Sequence, residues 1–267
     1  RANGKYDAIH PASGFFGSVD LQVAGPPGDA TDVKVEPDLR FYVPLHRKVI
    51  LAGRFGMGFL YSVDYGFVLG QTVLTKNILR DDVNKHGERA RGLLRAAVDR
   101  DVGILDKRGL FSGGPASNRG YGFNEIAPQR VVKDDGTRLA DPDSVGGRTL
   151  WEASVEVRFP IRGSFGGTVF VDASDVTAGV AELRLDHPHL STGLGLSYDS
   201  PIGPLRFDLG FRIPKVQVVG EDVKNCTNNT PDETLWKCTN NLQEEAEPSM
   251  LFDAIPAAVS IAIGNAF

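Results

Sequence analysis

Apolar and polar side chains alternate with a period of two residues along most of this chain. In the clearest example, Leu205–Arg212, the apolar side chains of Leu205, Phe207, Leu209 and Phe211 alternate with Arg206, Asp208, Gly210 and Arg212. Two further segments, Asp32–Val43 and Leu190–Tyr198, repeat the pattern. Because successive side chains of a β-strand point to opposite faces, each segment is predicted to be a strand with one apolar and one polar face.

The same pattern predicts eight strands in total. Their expected bounds are Phe15–Ala24, Asp32–Val43, Lys48–Leu60, Thr149–Phe159, Gly167–Ala173, Leu190–Tyr198, Leu205–Arg212 and Ala257–Phe267. Short connections at 44–47, 160–164 and 199–204 alternate with long ones at 61–148, 174–189 and 213–255. Short turns on one side and long loops on the other are typical of an outer-membrane barrel.

Two architectures share this alternation. A soluble β-sandwich turns its apolar faces inward, whereas a membrane barrel turns them towards lipid. The predicted strands are about 10 residues long, against the usual 5–6, which favours the barrel. Their polar faces mix Gly and Ser with charges of both signs, as a crowded barrel interior would.

Composition, charge and cysteine content narrow the possible classes of protein. The 267 residues carry a net charge of -5, so nothing indicates a nucleic-acid partner. The first residues lack the apolar core of a signal peptide, and we interpret the chain as a mature or truncated piece. Cys226 and Cys238 lie close together in a polar stretch, and a disulfide between them would fit an oxidising compartment. Two unrelated thiols are the alternative.

Residues 76–108 break the period-two pattern. Asn77–Val83 and Arg89–Val98 space their apolar residues three to four apart, which predicts helix. We expect a solvated helix that decorates the loop at 61–148.

Several segments together resemble the BamA/TamA superfamily of outer-membrane assembly and translocation barrels. They are GGPASNRGY at 113–121, VGGRTLWEASVEVRFP at 145–160, FVDAS at 170–174 and GLGLSYDSPIGPLRFDLG at 193–210. The first is similar to the tip of that family's sixth extracellular loop, and the last to its last-but-two hairpin. The resemblance extends from about residue 9 to the end of the chain. Ser174 departs from it by replacing the family's usual glycine.

The resemblance implies an all-β, transmembrane antiparallel β-barrel, of which residues 1–267 form the last eight of sixteen strands. It implies that 61–148 is a long extracellular loop folded into the lumen, with its tip at Arg119-Gly120-Tyr121, and that 213–255 is a second extracellular loop. The final residues, with Gly264 and the terminal Phe267, resemble the C-terminal signal of such barrels. Half a barrel would leave open edges in lipid, so the chain is either a fragment or is completed by another chain.

A charge pair in the lumen is the candidate functional feature. In the family the loop-tip arginine pairs with the acid of the Phe-x-Asp motif and with an acid on the preceding strand, here Asp172 and Glu156. We call Arg119, Gly120, Tyr121, Asp172 and Glu156 the loop-lumen lock. A guanidinium in a partly dry lumen would need such carboxylates, whereas a solvated surface arginine is the alternative.

The chain is not expected to be an enzyme. No nucleophile–base pair or phosphate-binding loop is present, and neither a metal nor a cofactor is expected. The resemblance implies a barrel of the bacterial outer membrane that inserts or translocates proteins. Its expected partners are outer-membrane lipid, client outer-membrane or secreted proteins, and periplasmic POTRA domains with accessory proteins. The alternatives are a two-partner-secretion transporter, a passive porin or surface antigen, and a soluble β-sandwich binding module.

Overall fold

The chain folds around one long antiparallel sheet. The computed structural model describes residues 13–46, 48–66, 88–132, 138–186, 188–201, 203–213, 250–251 and 255–264. The long strands are β1 (Gly14–Ala24), β2 (Asp32–His46), β3 (Val49–Ser62), β6 (Thr149–Arg162), β7 (Phe165–Thr177), β8 (His189–Ser200), β9 (Gly203–Arg212) and β11 (Ile255–Ile263). The remaining elements are helix α1 (Glu88–Arg108) and the short strands β4 (Gln129–Val132), β5 (Arg138–Ser144) and β10 (Met250–Leu251).

All eight predicted strands are present, and their described ends differ from the predicted ones by a few residues; the last three residues of the predicted strand Ala257–Phe267 lie outside the described residues. They form a meander in the order β1-β2-β3-β6-β7-β8-β9-β11, with the two-residue β10 beside β11, and every pairing is antiparallel. Within the described residues the sheet is open, with β1 and β10 at its two edges. The pair β4–β5 is a separate hairpin inside the 61–148 connection, which the sequence did not predict.

The sheet buries its charges and exposes its apolar side chains. On β9, Phe207 is 46% exposed whereas the neighbouring Asp208 is 1% exposed. The same inversion holds on β7, where Val169 and Val171 are exposed and Asp172 is buried. A soluble sandwich would bury the apolar face, so the structure is inconsistent with that alternative. The arrangement is that of a barrel wall with lipid on one side and a polar lumen on the other.

One position on β11 departs from the predicted faces. Val259, Ile261 and Ile263 are exposed as expected for the lipid side, but Ala257, which shares their parity, is buried. Ala257 lies directly opposite the larger Phe211 of β9. A single methyl group projects little beyond the backbone, so neighbouring side chains can cover it.

Helix α1 is not the solvated decoration that the sequence predicted. Its C-terminal half buries Leu105 and Asp101, and Leu105 joins a core cluster with Leu60 and Leu110. Arg108 at the helix end donates to both carboxylate oxygens of Asp32 on β2. The helix therefore packs against the long-loop end of the sheet. Among the described helices, none is both long enough and apolar enough to cross a membrane. Residues 77–83, also predicted helical, lie outside the described residues.

Candidate functional site

The loop that connects β3 to β6 turns into the concave, polar side of the sheet. Its innermost part, residues 113–121, is called the loop tip here. The two arms of the loop pair just before and after this tip, where the backbone N–H groups of Ser112 and Ile126 each donate to the carbonyl of the other at 2.9 and 3.0 Å. Gly113 and Gly114 have φ angles of 100° and 105°, which side-chain-bearing residues rarely adopt. This double-glycine turn reverses the chain and aims the following residues at the sheet.

Arg119 is the one charged residue of the loop tip, and only 1% of its surface is exposed. Its Nε and Nη2 donate to the two oxygens of Asp172 at 2.9 and 2.8 Å. Its Nη1 donates to Glu156 at 2.8 Å, and Nη2 also reaches Ser154 at 3.2 Å. The guanidinium carbon lies 3.5 Å from the centre of the Phe170 ring. The planar fork thus engages two acids on one side and an aromatic ring on its face.

The electrostatics of Arg119 follow from this enclosure. Burial by itself acts to lower the pKa of the Arg119 guanidinium, because desolvation disfavours the charged form. The hydrogen bonds and charges of Asp172 and Glu156 act in the opposite direction and prevail, so the pKa is raised above its usual value. Arg119 is therefore a permanent cation, held by two carboxylates from adjacent strands.

The backbone of the loop tip is also held by the sheet. The Arg119 N–H donates to Asp172 at 3.0 Å, and the Gly120 N–H donates to the Ser191 hydroxyl at 3.2 Å. Asn118 donates to the His189 carbonyl at 2.7 Å and to Ser174 at 3.1 Å, and it accepts from Ser191 at 2.6 Å. Sequence reasoning missed Asn118, although an amide next to the arginine of an inward-folding loop was a usable signal. The buried main chain is thereby satisfied by side chains of β7 and β8.

Ser174, which replaces the glycine usual in the family that the sequence resembles, contacts the loop tip. Its hydroxyl accepts from Asn118 and is fully buried. A glycine at this position would leave that Asn118 hydrogen bond unmade, so the substitution adds a contact to the loop tip instead of removing one.

Tyr121 ends the loop tip against two side chains from the sheet. Its ring meets the His189 ring edge-on at 5.5 Å between centroids, and the Arg212 guanidinium carbon lies 4.2 Å from its centre. Arg212 also donates to the Gly120 carbonyl at 3.1 Å and forms an ion pair with Glu125. The three motif residues Arg119, Gly120 and Tyr121 together therefore contact four strands, β6 to β9.

Two further arginines bind the loop tip through its carbonyl groups. Arg54 of β3 donates to the Ala116 carbonyl at 2.9 Å, and Arg206 of β9 donates to the Pro115 carbonyl. Arg54 is itself paired with Glu152 at 3.1 Å, and Arg206 with Asp208. Sequence reasoning placed Arg206 on the lumen side but gave neither arginine a role. The loop tip thus spans the concave face from β3 to β9.

Glycine at two positions permits the close approach of loop and wall. A Cβ atom at Gly120 would overlap Ser191, and one at Gly210 would overlap the carbonyl of Arg119. Both neighbours are fixed, since Ser191 is fully buried and the second contact is to backbone. The backbone of the loop tip lies against that of β9 without an intervening side chain.

The substitution Gly210→Ala is expected to push the loop tip away from β9. Because the clash is with backbone, relief needs movement of the chain, and such overpacking costs about 1–3 kcal/mol. Proteolysis of the loop in the folded protein should become faster. Gly25→Ala is the matched control, since a Cβ there meets nothing within 4 Å. Equal proteolysis rates for the two variants would contradict the close packing.

The other predicted site residues divide between described and undescribed segments. Gly264 follows β11 with φ of 106°, and its N–H donates to the Pro204 carbonyl at 2.8 Å. Cys226, Cys238 and Phe267 lie outside the described residues, so their predicted roles stay predictions. In the part of the chain that the structure describes, no group of three or more His, Cys, Asp or Glu side chains could hold a metal ion.

Two comparisons with known proteins agree with the antiparallel strand arrangement described above. The model of the Omp85 superfamily domain matches residues 3–224. The fold is similar to the crystal structure of BamA from Haemophilus ducreyi lacking POTRA domains 1-3, with 20% sequence identity and a TM-score of 0.53. The match covers 78% of this chain and 37% of that one, so this chain spans well under half the length of that BamA chain. The likeness confirms the predicted fold class, an all-β, transmembrane antiparallel barrel wall.

Proposed function

The chain belongs to the Omp85 superfamily, and on that premise we propose that it forms part of the wall of a barrel protein that inserts or translocates other proteins at the bacterial outer membrane. The observation that carries the proposal is the loop tip, which lies on the lumen side of the wall with Arg119 buried between Asp172 and Glu156. The loop tip is fixed to five strands of the wall, β3 and β6 to β9, and so occupies the lumen side of the wall.

In this proposal the loop-lumen lock holds the long loop inside the barrel while a client passes or inserts. Arg119 supplies the cation, Asp172 and Glu156 supply the anionic partners, and Gly120 allows the approach to Ser191. Tyr121 completes the set by packing on His189. The lock acts by position and charge, with no bond made or broken, which is consistent with a protein that is not an enzyme.

The proposal includes a topology and a set of partners. Residues 61–148 and 213–255 form loops on the extracellular side, and residues 1–267 as a whole belong to one barrel domain. Lipid contacts the exposed apolar side chains, and client outer-membrane or secreted proteins engage the barrel. POTRA domains and accessory proteins act on the periplasmic side. The exposed apolar wall and the family membership support this arrangement.

A folding assay with the full-length protein in phospholipid vesicles tests the proposal. A small outer-membrane barrel, unfolded in urea, is diluted into vesicles with and without the protein, and its folding is followed by protease protection. We expect faster folding in vesicles that contain the protein.

Two results would count against insertion as the function. Equal folding rates in both kinds of vesicle, together with secretion of a passenger protein in cells, would favour the two-partner-secretion alternative. Equal folding rates with a large, steady ion conductance would favour a passive porin.

A further inference from the structure

The outer face of the β6–β7 pair changes from exposed and apolar to buried along its length. The register places Val157 opposite Val169 and Val155 opposite Val171, and these side chains are exposed or half-buried on the lipid side. Beyond the intervening pair Ala153–Ala173, the same face carries Trp151 opposite Asp175 and then Thr149 opposite Thr177. These four side chains are all buried. Something therefore covers the outer wall at the end where the long loops lie.

The cover is the connection between β7 and β8. We call residues 178–186 the flap. The Trp151 indole donates to the Arg184 carbonyl at 2.9 Å, the Thr149 hydroxyl to the Gly179 carbonyl at 2.8 Å, and the Thr177 hydroxyl to the Glu182 carbonyl at 2.8 Å. The flap thus folds back over the outside of the barrel wall instead of projecting away from it.

An ion pair fixes the flap and orients its side chains. Arg184 donates through Nε and Nη2 to the two oxygens of Asp175 at 3.0 and 2.8 Å, and Asp175 is fully buried beneath it. Because Arg184 points inward, its neighbours Leu183 and Leu185 point away from the wall and are 44% and 69% exposed. Val180 is exposed beside them. The flap is therefore polar towards the protein, and towards its surroundings it presents Val180, Leu183 and Leu185 together with the exposed residues Glu182 and Asp186.

The height of the exposed apolar wall indicates which medium the leucines of the flap contact. On β7 the lipid-side residues run from Phe165 to Ala173, eight residues apart. At roughly 3.4 Å per residue and a tilt of about 40°, they span a height of roughly 21 Å, short of the apolar band of about 25 Å that such barrels present to lipid. The flap begins where the bare wall ends, so its leucines continue the apolar band.

We propose that the flap is a membrane-interface anchor, in which Leu183 and Leu185 insert into the outer leaflet and the Asp175–Arg184 pair holds them at that depth. The occupant is lipid at the boundary between acyl chains and headgroups, because the surface continues the lipid-facing wall. The inference rests on the proposed membrane location of the barrel. It adds that a loop, and not only the strands, sets the position of β6 and β7 relative to the bilayer.

Spin-label accessibility in phosphatidylcholine vesicles tests the anchor. The full-length protein, with Cys226 and Cys238 replaced by serine, carries one nitroxide at Leu185→Cys, Val171→Cys or Ala96→Cys. Val171 is the lipid control on the bare wall, and Ala96 is the water control on α1. Molecular oxygen concentrates in lipid and a nickel chelate stays in water. We expect the oxygen-to-nickel ratio at position 185 to be several-fold above that at 96 and somewhat below that at 171, because the interface is shallower than the bare wall.

The control separates the anchor from the proposed location. A ratio at 171 equal to that at 96 would overturn the membrane location itself. A lipid-like ratio at 171 with a water-like ratio at 185 would overturn only the anchor, and so would low accessibility to both reagents at 185, which indicates a protein partner or a second copy.

Arg184→Gln, made in the Leu185→Cys protein, tests the ion pair separately. Loss of the fork should release the flap and lower the ratio at 185 several-fold towards the water value. An unchanged ratio would overturn the role of the pair.

Discussion

Replacing Arg119 with alanine is expected to detach the loop tip from the lumen wall and to abolish most client folding. The substitution removes the cation from between Asp172 and Glu156, so the buried Asp172 loses its ion-pair partner and Glu156 keeps only its pair with Arg158. Breaking a buried pair in this way costs about 3–5 kcal/mol. The folded protein should therefore show faster proteolysis of the 61–148 loop and a lower unfolding temperature, while the barrel itself still inserts.

Two variants make the Arg119 result specific. Arg119→Lys keeps the charge but loses the bidentate fork, so it should rescue only a small part of the loss. Arg162→Ala is the matched control, because this arginine is exposed at the turn between β6 and β7 and should change little. Full activity of Arg119→Ala, or equal loss in both alanine variants, would show that the loop-lumen lock is not what holds the loop.

Placing a charge on the lipid face gives the second large effect. Phe207 lies near the middle of β9 with its ring exposed, between the inward-facing Arg206 and Asp208. Phe207→Arg would put a guanidinium into hydrocarbon, at a cost of about 2–4 kcal/mol near the bilayer midplane. The urea midpoint for unfolding from vesicles should fall, and less protein should reach the membrane.

The depth of the substitution provides the control. Leu205→Arg introduces the same side chain on the same face, but two residues closer to the short turn before β9. Near an interface the cost is only about 0–1 kcal/mol, because the guanidinium can reach water. Equal destabilisation by the two variants would contradict the inferred position of β9 in the bilayer.

Much of the fold could be predicted because its signal is local. A period of two is written into each strand, so all eight long strands and the lumen-facing parity of Arg206, Asp208 and Arg212 were found from the sequence. The helical spacing at Arg89–Val98 is also a local signal and was found, but the continuation of the helix to Arg108 and its burial were not, since Leu105 packs against Leu60, far away along the chain. Alternation also could not say which face was covered, and only the burial of Asp208 beside an exposed Phe207 resolved that question.

The candidate site depended more heavily on resemblance. Arg119 and its acids were singled out because the surrounding motifs resemble a known family, not because spacing demanded it, and 53 residues separate Arg119 from Asp172. The hydrogen bonds that Arg54 and Arg206 donate to the loop tip gave no such signal. A charged residue on the polar face of a strand predicts only that its side chain points to the lumen, not what it contacts. Their acceptors are backbone carbonyls, which carry no residue identity to recognise.

The sequence by itself therefore determined the strands, their two faces and the identity of the loop-tip motif. The tertiary structure alone decided how deeply the loop tip enters the concave face, which side chains meet it, and that the flap folds over Trp151 and Asp175. The physical reason is the range of the interactions. Strand periodicity arises between neighbouring residues, whereas a loop finds its place through hydrogen bonds and ion pairs that form only after the sheet has brought distant segments together.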